Sequence, residues 1–65
     1  MTSIFQSRAK EFVRKNNFSE KDIKTQMLCV IEEVGEVSKA ILEGGDVEKE
    51  IADALFTLFV LAELH

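Results

Sequence analysis

The stretch ILEGGDVEKEIAD, residues 41–53, holds the end of one helix and the start of the next. Gly44 and Gly45 stop the first of these, because glycine accepts the left-handed backbone past a helix terminus at no steric cost. Asp46 is the residue type that caps a helix start, its carboxylate accepting the unpaired amides of the first turn. A linker this short turns the two helices back on each other as an antiparallel hairpin. Outward from it, proline is absent, Gly35 is the only other glycine, and no stretch alternates in the manner of a strand. The chain is therefore expected to be all-α.

The helix before the turn is predicted to open at Ser19, with Asp22 as its acidic third residue and Phe18 and Ile23 placed for a hydrophobic staple. It runs to about Glu43. An earlier helix opens at Ser3, with Gln6 as capping-box partner, carries a stripe of Phe5, Ala9, Phe12 and Val13, and breaks at Asn16-Asn17. The last helix runs from Asp46 to the chain end. The expected architecture is a helical hairpin plus an N-terminal helix, with residues 1–65 as one domain.

Periodicity on the central helix puts Ile23, Met27, Val30, Val34, Val37 and Ile41 in one stripe, expected to be the core face. Leu28, Ile31 and Leu42 widen it on one flank. Glu33, Glu36, Cys29 and Ala40 share the other. From Ile51 to Leu64 the last helix reads IADALFTLFVLAEL, with charge only at Asp53 and Glu63. A helix apolar nearly all round is covered on several sides, and 65 residues cannot surround it. Chains this short bury only roughly 60 % of their unfolded surface. The excess apolar surface predicts self-association into a larger bundle, as a homodimer or homotetramer.

Composition narrows the function. The net charge of −4 argues against nucleic acid as a partner, which wants a basic footprint. The apolar run from Ile51 to Leu64 is shorter than a membrane span, and Asp53 interrupts it, so no membrane partner is expected. The first dozen residues lack the apolar core of a secretory signal. Cys29 is the only cysteine, which suits a reducing cytoplasm.

The acids carry the chemistry. Glu32-Glu33-x-x-Glu36 precedes the turn and Glu50-x-x-Asp53 follows it. Residues three apart on a helix are neighbours, so Glu33 pairs with Glu36 and Glu50 with Asp53. Glu36 lies eight residues before Gly44 and Asp53 eight after Gly45, so each stands roughly 12 Å from the turn. Four carboxylates that converge repel one another unless a cation neutralises them. An all-oxygen ligand set suits Mg²⁺, Mn²⁺ or Ca²⁺, and Mg²⁺ readily shares its shell with phosphates. A ferritin-like di-iron site would need Glu-x-x-His motifs, and His65 is the only histidine. On patterning alone a solvated acidic face competes with the metal reading at Glu33 and Glu36. Glu50 also suits a first-turn acid favouring the helix dipole. Asp53, among apolar neighbours, is expected to be buried and in need of a partner.

EEVGE at 32–36 followed by EIAD at 50–53 resembles the EExxE…ExxD signature of the all-alpha nucleoside triphosphate pyrophosphohydrolases, which include MazG, the dimeric dUTPases, the dCTP pyrophosphatases and phosphoribosyl-ATP pyrophosphatase. The likeness runs from about Leu28 to Leu64. It implies a Mg²⁺-dependent enzyme, Mn²⁺ being an alternative, that splits a nucleoside triphosphate into monophosphate and pyrophosphate and serves the nucleotide pool. By position it implies metal ligation by Glu33, Glu36, Glu50 and Asp53, and a water-orienting catalytic role for Glu32 beside Glu33. Gly35 then reads as a point of close helix approach. Family members continue into a fourth helix that often carries Lys, Arg or Asn for phosphates and base. Here the chain stops at His65, which leaves a fragment or a wall supplied by another subunit. Two alternatives to the enzyme follow: a non-catalytic Mg²⁺-nucleotide-binding module, and a helical oligomerisation unit. Phe5, Phe12 and Phe18 are expected in the core rather than as a base platform.

Overall fold

A computed structural model describes residues 3–65; Met1 and Thr2, part of the expected domain 1–65, lie outside the described residues. Three helices follow in order, α1 over Ile4–Lys15, α2 over Ile23–Glu43 and α3 over Val47–Leu64. Among the described residues there is no strand, and the all-α expectation holds.

The local signals act as their chemistry requires. Ser3 and Gln6 form a reciprocal capping box, with Gln6 N donating to Ser3 Oγ at 3.1 Å and Ser3 N donating to Gln6 Oε1 at 2.7 Å. Ser19 N donates to Asp22 Oδ2 at 2.9 Å. The residues between them, Glu20–Asp22, form a single 3₁₀ turn that leads into α2, so the α-helix proper starts at Ile23 rather than at Ser19. Asp46 Oδ1 accepts from Lys49 N at 3.1 Å and caps α3. Phe18 and Ile23, the staple pair, both pack against the core.

Gly44 ends α2 with φ +79°, the left-handed region. Beside it, a Cβ on Gly45 would come within 3.2 Å of Ala40 Cβ. The turn therefore needs glycine twice, once for conformation and once for space. Gly44→Val should cost about 1–2 kcal/mol, the penalty of forcing an L-residue into this region. For a domain of this size that lowers the melting temperature by about 4–8 °C per kcal/mol. A thermal melt by circular dichroism reads it, and unchanged melting would mean that the turn reshapes freely.

The hairpin of α2 and α3 is the main contact, and α1 lies on α3. Ala9 of α1 meets Val60 and Leu64 of α3 in a small buried core, with Val13, Phe56 and Phe59 packed around it. Phe5 stacks on Phe59 at 5.8 Å between centroids. Phe12 meets Phe18 and Phe56 edge-on at 5.5 and 5.4 Å, an arrangement favoured by the ring quadrupoles.

The expected core stripe of α2 is corrected by the structure. Val30 is buried, but Met27, Val34 and Ile41 are exposed, Ile41 to 63 %. The face turned towards α3 instead carries Gln26, Val30 and Ala40, with Glu33 half-buried among them. With only α3 to pack against, α2 rotates its acid-bearing flank inward and leaves its most apolar flank bare. At Gly35 nothing lies within 4 Å of where its Cβ would be, so no other helix among the described residues approaches it. On α3, Ile51, Leu55 and Leu58 form a second bare stripe. No helix among the described residues is long and apolar enough to cross a membrane.

Candidate metal centre

The hairpin brings three acids together. One carboxylate oxygen from each of Glu33, Glu50 and Asp53 lies within 4.8 Å of the other two. Glu33 comes from α2 and the other pair from the first two turns of α3, so the cluster exists only when the hairpin closes. All three are half-buried, which strengthens their mutual repulsion relative to open water.

Glu36 stands apart from this group. It is three residues beyond Glu33, hence rotated about 60° around the helix towards solvent, and it is exposed. It lines a polar cleft of about 310 Å³ at the turn, together with Glu50, Lys39 and Glu43. It is thus at the rim, next to one member of the cluster. Glu32 is exposed about 100° round the helix from Glu33, and the structure does not bring it to the three.

Asp53 was expected to be buried; its side chain is 45 % exposed and has a partner in its own helix. The Lys49 ammonium donates to Asp53 Oδ2 at 3.1 Å, one helical turn on, and to Glu50 Oε1 at 3.5 Å. The hydrogen bond to Asp53, and then the charges of Asp53 and Glu50, raise the Lys49 pKa above its ordinary value. Sequence reasoning missed this pairing. The i, i+4 spacing to Asp53 was the available signal.

On the other side of the cluster, Glu33 also lines an apolar cleft of about 270 Å³ between α1 and the hairpin. Phe12, Phe18 and Phe56 supply its aromatic wall, with Gln26, Cys29 and Thr57 beside them. Of the phenylalanines expected in the core, Phe18 packs against it and also lines the cleft, whereas Phe12 lines the cleft with its ring partly exposed and Phe5, 51 % exposed, stacks on Phe59 at the surface. Gln26 is buried, and its Nε2 donates to the Thr57 carbonyl oxygen at 3.0 Å, tying α2 to α3 across the cleft floor.

Three carboxylates and one ammonium leave a formal charge near −2, which a divalent cation would cancel. The donors are all hard oxygens, which suits Mg²⁺ or Mn²⁺ better than a thiophilic metal. Cys29 lies in the cleft and outside the acid group. A family model for the MazG nucleotide pyrophosphohydrolase domain matches residues 21–65, more than half of the chain. The chain belongs to that family. No curated protein and no solved structure matches it. The matched residues include both arms of the hairpin, so the MazG domain here contains all of Glu33, Glu36, Glu50 and Asp53, while α1 precedes the match.

Proposed function

We propose that this MazG-family chain hydrolyses a nucleoside triphosphate to the monophosphate and pyrophosphate, using Mg²⁺ or Mn²⁺ held by Glu33, Glu50 and Asp53, as a housekeeping step on the cytoplasmic nucleotide pool. The observation that carries this reading is the meeting of three carboxylates from opposite arms of the hairpin, between an apolar cleft and a polar one. A divalent cation in such a site supplies charge neutralisation for the phosphates and lowers the pKa of a bound water.

The residues around the cluster have separable tasks. The apolar cleft offers a nucleobase a wall of phenylalanine rings and the carboxamide of Gln26, an apolar lining with few fixed polar groups of the kind that small-molecule sites use. The cleft at the turn carries Lys39 and Glu36. A triphosphate running from one cleft to the other crosses the acids at Glu33 and Glu50. Lys39 then meets the phosphate end as a point charge, and Glu36 completes the ligand shell from the rim. Glu33, the residue common to cluster and apolar cleft, is the best-placed carboxylate to orient a water against the phosphorus.

We further propose that a second copy covers the bare apolar flanks of α2 and α3. Their exposed side chains, Met27, Ile31, Val34, Ile41, Ile51, Leu55 and Leu58, are too many for a small domain to leave in water. Gly35 lies on the exposed part of α2 and would let a partner helix come close.

The enzyme reading is tested by pyrophosphate release from a panel of canonical and modified nucleoside triphosphates, with Mg²⁺ or Mn²⁺ and with EDTA. Metal-dependent release is expected, and the best substrate names the base. Binding without release is the signature of the non-catalytic module. A ligand at 100 times its Kd adds about 2.7 kcal/mol of stability, so a melting temperature unmoved by Mg²⁺ and nucleotide together would leave only the oligomerisation unit.

A further inference from the structure

Lys49 is the one basic residue built into the acid cluster, and its position on α3 is specific. The same helical turn carries Glu50, and the next carries Asp53, so the ammonium sits over two of the three converging carboxylates at 3.5 and 3.1 Å. Among the described residues these are the only ion pairs. Lysine is otherwise a poor choice here. A metal site gains affinity from uncompensated negative charge, and a cation one turn away competes for the same oxygens. The Asp53 oxygen that faces Lys49 is unavailable to a metal at full strength while the ammonium holds it.

We propose that Lys49 is a resident counter-ion of the site: it neutralises Glu50 and Asp53 in the metal-free protein and must be displaced when a divalent cation binds. The inference rests on the metal reading of Glu33, Glu50 and Asp53. Its consequence is a deliberate weakening. With Lys49 on Glu50 and Asp53, the repulsion among the three carboxylates is partly offset before metal binds, and the site fills only when the cation is abundant. The long lysine stem is suited to this exchange, since the side chain is 63 % exposed and swings into solvent without disturbing the packing of α3.

The test is direct binding of Mn²⁺, without nucleotide, to the full chain and to Lys49→Met, Lys49→Arg and Lys10→Met, together with metal-free thermal melts. Lys10→Met removes the same charge from α1, next to a different cleft. Loss of one charge contact of this exposure should tighten Mn²⁺ about fivefold in Lys49→Met. Lys49→Arg and Lys10→Met should stay near wild type. Metal-free Lys49→Met should also melt below wild type, and saturating Mn²⁺ should erase the difference. Unchanged Mn²⁺ affinity in Lys49→Met, with Mn²⁺ binding intact in the wild type, overturns the counter-ion role alone. Equal tightening in Lys10→Met overturns it too, since that would be an effect of net charge and not of the contact. A wild type that binds no Mn²⁺ defeats the metal site itself and this inference with it.

Discussion

Asp53→Asn is expected to reduce metal-dependent pyrophosphate release by at least about a thousandfold, some 4 kcal/mol of lost transition-state stabilisation, while leaving the helices folded. The substitution is nearly isosteric and removes one charged ligand from a cluster of three. Asp53 is half-exposed and does not belong to the buried core of Ala9, Val60 and Leu64, so far-ultraviolet circular dichroism should be unchanged. Glu33→Gln and Glu50→Gln should match it. Glu36→Gln should lose less, about ten- to a hundredfold, the effect typical of residues that support a metal without being held in its group. Glu32→Gln should be mildest, because its side chain points away from the cluster. Initial rates at saturating Mn²⁺ give this ranking. If Glu36→Gln proved as severe as Asp53→Asn, Glu36 would have to turn inward on metal binding. If Glu32→Gln did, the water-orienting role implied by the family resemblance would stand against the geometry of the single chain. Should Asp53→Asn retain substantial activity, the cluster would not be the metal site.

The parts of this fold that the sequence made legible are those settled within a few residues of themselves. Ser3 with Gln6, Ser19 with Asp22, and Gly44-Gly45-Asp46 are local hydrogen-bonding or steric solutions, and each is found where its residues dictate. The convergence of Glu33 with Glu50 and Asp53 was legible for the same reason, since a tight turn leaves two helices no other way to run. The facing of α2 was not. Hydrophobic periodicity finds the most apolar stripe, and the usual assumption is that this stripe meets the chain's own core. In α2 the most apolar stripe, through Met27, Val34 and Ile41, is bare, and the flank with Glu33 and Ala40 packs inward. Periodicity cannot say whether a stripe is covered by its own chain or by something else. Spacing alone also does not separate Glu33 from Glu36: residues three apart on a helix differ by about 60° in direction, and Glu33 stands in the cluster while Glu36 lines the cleft at its rim. Lys49 was missed because a surface lysine is seldom informative, and only the third carboxylate across the hairpin gives it meaning.

The bare apolar flanks of α2 and α3 set the second large effect. Replacing Ile31 and Leu55 together by glutamate should turn an assembled protein into a monomer, with the association constant falling by at least about a thousandfold. Each side chain is about half exposed in the single chain, 57 % and 45 %, so neither change disturbs the interior of the chain itself. In a symmetric assembly each substitution counts twice, because the same patch is used by both subunits. Full burial of a Leu or Ile contributes about 1.5–3 kcal/mol, and a carboxylate in its place adds a desolvation cost. Two half-exposed side chains on two subunits therefore exceed the roughly 4 kcal/mol that a thousandfold change requires. Sedimentation equilibrium across a concentration series measures the mass directly. The melting temperature should fall with the oligomer and become independent of protein concentration, since dissociation no longer accompanies unfolding. A wild type that is monomeric at every concentration would mean that this small domain tolerates its exposed apolar flank. A double variant of wild-type mass would mean that the subunits meet elsewhere. Neither result would touch the carboxylates, because Glu33, Glu50 and Asp53 all come from one hairpin and face its inner side. Mn²⁺ binding by the monomeric variant would then show that the metal site needs only the closure of a single chain, and any activity it lost would be assigned to the cleft walls rather than to the metal ligands.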